Sequence, residues 1–99
     1  MGISVMVWTF SGDMEGQSLH PAINALCDRA LGLGLPMLGY VDPCDDTIFN
    51  RSQMRKVVPE LQQLARLVPE DERRAAEEIL DLCQLIERKP HRYLLFNGD

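Results

Sequence analysis

The stretch Phe49-Asn50-Arg51-Ser52-Gln53-Met54-Arg55-Lys56-Val57-Val58-Pro59-Glu60-Leu61-Gln62-Gln63-Leu64-Ala65-Arg66-Leu67-Val68 contains the best-marked helix start in the chain. Asn50 is a good N-cap, and Gln53 stands three residues later, in the position of a capping box. Phe49 precedes the cap and Met54 follows it by four residues, the spacing of a hydrophobic staple. Val57, Val58, Leu61, Leu64, Ala65 and Val68 then recur at the period of one helical face. Pro59 lies inside this run. An interior proline removes a backbone hydrogen bond and costs about 3 kcal/mol or more. A kink or break is therefore expected near Val57 and Val58, with the apolar face continuing beyond it.

Towards the C-terminus, Pro69-Glu70-Asp71-Glu72 opens a further helix, since proline and acids both suit a first helical turn. Its buried stripe is Ala76, Ile79, Leu82, Cys83 and Ile86. Glu70 with Arg74, Arg73 with Glu77 and Arg74 with Glu78 are opposite charges at neighbouring positions on its wet side. Pro90 ends the helix, and Arg92 to Asn97 reads as a last strand.

Towards the N-terminus, Asp42 to Thr47 reads as a tight acidic loop and Met37 to Val41 as a short strand. A helix is expected over Ser18 to Leu31, with Ile23, Leu26, Cys27, Ala30 and Leu31 on one face and Gly32-Leu33-Gly34 as its stop. Ser11 to Gln17, polar and carrying two glycines, reads as a mobile surface loop. Ile3 to Phe10 is a first strand, apolar on both faces and so suited to the middle of a sheet. Trp8 on this strand reads as core more readily than as an exposed anchor. The predicted order is β-α-β-α-α-β. This is one α+β domain, a small three-stranded sheet with three helices covering mainly one side. The first β-α-β unit would form a right-handed parallel crossover, and the last strand would pair with one of the first two.

Composition narrows the functional classes. The 99 residues are 45% hydrophobic and 25% charged, the balance of a globular domain with a modest core of its own. No apolar run approaches the roughly 18–20 residues of a membrane span. The net charge of -5 argues against a nucleic-acid backbone as ligand and favours a basic protein partner. Met1-Gly2-Ile3-Ser4-Val5 shows no secretory signal. Cys27, Cys44 and Cys83 are odd in number and form no CxxC pair, which suits a reducing cytoplasm.

Residues able to carry chemistry are few. Asp42, Asp45 and Asp46 would offer carboxylates to a divalent ion, but they lack the glycine and glutamate of an EF-hand and read better as turn chemistry. No metal or cofactor is expected. Asn50 and Gln53 are accounted for by the capping box. His20 and His91 each stand beside a proline, with no ligand or triad partner in sequence. Cys44 with His91 would make a nucleophile and base only if the fold joined them. No catalytic residue is assigned.

Two stretches are familiar together: Asp42-Pro43-Cys44-Asp45-Asp46-Thr47-Ile48-Phe49-Asn50-Arg51-Ser52-Gln53-Met54 and His91-Arg92-Tyr93-Leu94-Leu95-Phe96-Asn97-Gly98-Asp99. They resemble a group of small actinobacterial proteins that carry DP…DT.FN..Q and end in H.YL.F.GD, over the second half to two-thirds of the chain. That group has no assigned activity, so the resemblance confers no catalytic residues. In size, acidity and lack of a catalytic signature the chain is also similar to bacterial immunity proteins, which bind and block a toxin.

The leading expectation is a cytoplasmic, non-enzymatic protein-binding module of immunity type that occludes a basic toxin surface. Its recognition residues would be Asp42, Asp45, Asp46, Glu70, Asp71, Glu77 and Glu78. The alternatives are a small enzyme or ligand-binding protein with a pocket near Thr47, Asn50 and His91, and a regulatory or structural subunit that forms a homodimer through a sheet edge.

Overall fold

The computed structural model describes residues 2–98. Its elements are strand β1 (Ser4–Thr9), strand β2 (Met14–Ser18), helix α1 (Ile23–Gly32), strand β3 (Asp46–Phe49), helix α2 (Met54–Leu67), helix α3 (Glu70–Arg88) and strand β4 (Arg92–Asn97). The class is α+β with three helices. The sheet has four strands rather than three, in the order β2-β1-β4-β3, and every pairing is antiparallel. The expected parallel crossover is absent among the described residues. The last strand does pair with the first, and lies between β1 and β3.

The extra strand is β2, which takes up much of the stretch expected to be a loop. Thr9 N–H donates to the Asp13 carbonyl at 2.8 Å, and Gly12, at φ 94°, turns the chain back on itself. The strand gives no hydrophobic alternation because its inward residues are Gly16 and Ser18. Helix α3 passes directly beneath: a Cβ on Gly16 would stand 3.0 Å from Leu82 and 3.2 Å from Leu85. Only a very small residue lets helix and strand approach this closely. A bulge between Val7 and Trp8 leaves Glu15 as the extra residue of β2. Its carboxylate reaches across β1 to the Arg92 guanidinium on β4. Because β2 extends to Ser18, α1 begins at Ile23, five residues later than expected.

Met37 to Val41 is not a strand. Leu38–Tyr40 forms a 3₁₀ turn, and the buried residues around it are Leu35, Leu38 and Val41. Their spacing of three is the period of a 3₁₀ helix. The buried Glu60 of α2 caps this turn, accepting from Leu38 N–H at 2.8 Å and Met37 N–H at 3.0 Å. The strand after α1 forms further along, as β3, which begins in the last two residues of the predicted acidic loop.

Helix α2 starts as its sequence predicts. Gln53 N–H donates to Asn50 Oδ1 at 3.0 Å, and Asn50 N–H donates to Gln53 Oε1 at 2.8 Å. The capping box opens a 3₁₀ turn, Arg51–Gln53, which runs directly into the helix. Both staple residues, Phe49 and Met54, are buried. Of the kink or break expected near Val57 and Val58, the break does not occur: the helix is continuous from Met54 to Leu67 with Pro59 inside it. Pro59 and Arg55 are both exposed. The Arg55 carbonyl that loses its donor therefore faces solvent, which can replace the bond.

The core lies between the sheet and the helices. Val5, Val7, Leu94, Phe96 and Phe49 from the sheet meet Ile23, Leu26, Leu61, Leu64, Ile79 and Ile86 from the helices, all buried. Phe49 and Phe96 pack edge to face with ring centres 5.8 Å apart. A bidentate pair ties α1 to α3: Arg29 Nε and Nη2 donate to the buried Glu72 carboxylate at 2.8 and 3.0 Å. The Glu72 hydrogen bond and charge raise the Arg29 pKa above its already high ordinary value. No described helix is long and apolar enough to cross a membrane.

Candidate functional site

Side chains alternate between the two faces of a strand, and here the faces differ sharply in what covers them. Val5, Val7, Leu94, Phe96 and Phe49 point to the helices. The intervening residues point away, to a face on which no helix lies. Register places them in rows. One row crosses all four strands as Gln17, Met6, Leu95 and Ile48. A second holds Met14, Trp8 and Tyr93, and a third holds Ser4, Asn97 and Asp46. Met6, Trp8, Tyr93 and Leu95 are half-buried by their neighbours, while Ile48 is 56% and Met14 46% exposed. Phe10 extends the face by one residue: its N–H bonds the His91 carbonyl at 2.9 Å, and its ring, 78% exposed, stands 6.0 Å from the His91 ring.

This open face is apolar and aromatic. Asp46 is the only carboxylate in the three rows, and it accepts from Asn97 Nδ2 at 2.9 Å. Trp8 thus belongs to this face, not to the core. The face was readable from the second register of β1 (Ser4, Met6, Trp8) together with Tyr93 and Leu95. Without the strand order it could not be told from a face covered by another layer.

The predicted recognition acids fall into two groups. Asp42, Asp45 and Asp46 border the open face at its β3 edge, and each makes local bonds. Cys44 N–H donates to Asp42 Oδ1 at 2.8 Å, Asp46 N–H donates to Asp45 Oδ1 at 2.8 Å, and Asp42 N–H donates to Thr47 Oγ1 at 3.0 Å. These are turn-forming bonds of aspartate and threonine. The second group lies on α3. Glu70 pairs with Arg73 and Arg74, the Asp71 carboxylate accepts from Glu72 N–H, and Glu77 is exposed. Glu78 accepts from Ser18 Oγ at 2.6 Å, which fixes it beside β2. Strands β2 and β3 are the two opposite edges of the sheet, about 14 Å apart at the usual strand spacing. The two acidic groups therefore do not form one surface.

The residues of the alternative pocket are also separated. Thr47 sits opposite Phe96, near one end of β4, whereas His91 precedes the other end. Five residues of strand place them about 17 Å apart along it. Asn50 is committed to its capping box. Cys44, in the turn before β3, is separated from His91 in the same way. Cys27 and Cys83 are buried, and burial raises each thiol to about 12, too high for a thiolate nucleophile near neutral pH. Among the described residues no three His, Cys, Asp or Glu side chains converge as metal ligands. An open concavity of about 580 Å³ is lined by Arg51, Ser52, Met54, Arg55 and Glu87. An apolar gap between Leu26, Cys27, Leu61, Ile79 and Phe96 does not admit a water molecule.

No family model, curated protein or solved structure matches the chain.

Proposed function

We propose that the chain is a cytoplasmic protein-binding module of immunity type, which lays the open face of its sheet on a basic protein, such as a toxin, and blocks it by occlusion. The reading rests on the one-sided layering of the fold. It leaves Met6, Trp8, Tyr93, Leu95 and Ile48 together on an uncovered face. Aromatic and large aliphatic side chains at the centre of a flat surface, with charge at its border, have the composition of an interface core and rim. Asp42, Asp45 and Asp46 supply that border along β3. Glu70, Asp71, Glu77 and Glu78 act at longer range, through the field of a chain with net charge -5. The mechanism is steric and electrostatic. It uses no cofactor and no catalytic residue, and the partner is neither a nucleic acid nor a membrane.

The direct test is titration with the proteins encoded on either side of this chain's gene, followed through the fluorescence of Trp8, the only tryptophan. Trp8→Ala and Leu95→Ala should each weaken binding about tenfold or more, as truncation of central interface residues does, with the fold retained by circular dichroism. Wild-type affinity in both variants would remove the open face as the interface.

A further inference from the structure

We propose that the concavity between the start of α2 and the end of α3 binds a small phosphate monoester, its phosphate held between Arg51 and Arg55. The site lies on the helical side of the sheet, away from Trp8 and Leu95, and does not depend on the partner reading.

The placement of charge points to it. The chain carries 10 Lys and Arg against 15 Asp and Glu, so acids outnumber the cations they could pair with. Arg29 pairs with Glu72, Arg73 and Arg74 pair with Glu70, and Arg92 pairs with Glu15. Among the described residues Arg51, Arg55, Lys56, Arg88 and Lys89 form no ion pair. All are exposed, and they gather where α2 begins and α3 ends. The first acid along α2 is Glu60, which is buried and bound to the turn at Met37 and Leu38. Like charges collected without a counter-ion repel one another, and a bound anion relieves that repulsion.

The geometry suits phosphate. Arg51 and Arg55 stand one helical turn apart, on the same side of the chain. Arg51 Nη2 donates to the Glu87 carbonyl at 2.9 Å, which fixes the guanidinium and leaves its remaining donors free for a ligand. Among the described residues the Arg55 guanidinium and the Ser52 hydroxyl have no hydrogen-bond partner. The backbone N–H groups of Asn50 and Gln53 are engaged in the capping box, so side chains carry the site. Two guanidinium forks and a hydroxyl thus border a space of about 580 Å³, with Met54 in its lining. That volume is in the range of small-molecule sites. Guanidinium forks bind phosphate through paired hydrogen bonds, and a phosphate monoester offers its terminal oxygens to both forks and the hydroxyl at once. Arg88 and Lys89, directly after Glu87, add charge within a screening length. Glu77, Asp81 and Glu87 line the neighbouring groove between α2 and α3. They repel a longer polyanion, which limits the ligand to a small one.

The test is a titration of the full chain with phenyl phosphate near neutral pH, at an ionic strength held constant with chloride and followed in ¹H–¹⁵N spectra. The amides of Arg51, Ser52 and Arg55 should shift saturably, with a dissociation constant on the order of millimolar. Arg55→Gln should weaken binding about tenfold or more, the loss of a charge-assisted contact. Arg66→Gln removes the same charge at an exposed position near the other end of α2 and should bind like wild type. Arg55→Lys keeps the charge but loses the fork, and should weaken binding about threefold or more; it replaces Arg55→Gln should that variant fail to fold. Shifts that never saturate would overturn the proposal, as would equal loss in Arg55→Gln and Arg66→Gln or wild-type affinity in Arg55→Lys. Saturation by a polyglutamate peptide but not by phenyl phosphate would assign the concavity to an acidic protein and also overturn it. The amides of Met6, Trp8, Tyr93 and Leu95 should stay in place throughout, so failure here leaves the partner titration untouched.

Discussion

Gly98 lies against the backbone of Asp45. A Cβ at Gly98 would overlap the Asp45 carbonyl oxygen, and would stand 2.5 Å from the Asp45 nitrogen and 2.6 Å from the Asp42 carbonyl oxygen. Gly98 N–H also donates to that Asp45 carbonyl, at 3.1 Å. The turn at Asp42–Asp45, strand β3 and the end of β4 up to Gly98 are thus one structural unit. Gly98→Ala should destabilise the chain by about 1–3 kcal/mol, because the obstructing atoms are backbone and cannot rotate away. Denaturant unfolding measures this, and hydrogen exchange at Asp45 and Asp46 should quicken. Unchanged stability would mean that the terminal residues shift freely.

Glu60 holds the 3₁₀ turn at Met37 and Leu38 through two backbone N–H groups. Glu60→Ala leaves both donors in a largely buried place and should cost about 1–3 kcal/mol. Glu60→Gln keeps one oxygen acceptor and should cost less. Equal losses in thermal unfolding would show that the packing of the side chain matters, not its carboxylate.

Cys27 and Cys83 should resist alkylation in the native protein near pH 8, while the exposed Cys44 reacts. Their raised pKa has a defined sign in stability. Both thiols are protonated, folded or unfolded, below their ordinary value of 9.0, so they add no pH dependence there. Between 9.0 and about 12 the unfolded chain releases protons that the folded chain retains. Stability should then fall with pH by about 1.4 kcal/mol per unit for each thiol. Cys83→Ala should reduce that slope in denaturant titrations between pH 9 and 11, and an unchanged slope would count against its burial.

Asp45→Lys with Asp46→Lys should slow association with a basic partner by about tenfold or more, since steering acts before contact. Loss of the bonds to Asp46 N–H and Asn97 should cost about 0.5–1.5 kcal/mol each in stability. Glu77→Lys with Glu78→Lys makes the same change of charge beside the opposite edge. Stopped-flow rates should fall much less in this second pair. Equal slowing would assign recognition to net charge alone.

The sequence and the structure agree where a residue's neighbours in the chain decide its conformation. The capping box at Asn50 and Gln53, the long stripe of α3, and the short apolar runs of β1 and β4 are of this kind. They disagree where the deciding contact is remote. Gly16 and Ser18 carry no strand signal, because what makes β2 is the closeness of Leu82 and Leu85. Leu35, Leu38 and Val41 display a period of three, but the turn is completed by Glu60, more than twenty residues away. Pro59 suggests a kink or break from sequence because nothing local shows that the carbonyl it orphans lies on the exposed side of the helix. For the candidate site, the acids were visible as residues, but their division between two sheet edges depends on strand order. That order depends on pairings such as Ser4 with Asn97.

The strand order also bears on how the chain is made. Synthesis runs from the N-terminus, so β4 leaves the ribosome after every other described element, yet its place is between β1 and β3. Until it emerges, the β1–β2 hairpin and the α2–α3 pair can form locally, but β3 has no strand to bond. Val5, Val7 and Phe49 meanwhile lack the Leu94 and Phe96 row that packs between them. The sheet is assembled by insertion at its centre rather than by growth from one side. Long-range closure of this kind slows folding relative to local pairing. A nascent chain halted before Arg92 should accordingly be protease-sensitive throughout its sheet, and should gain protection in a single step once Asn97 is clear.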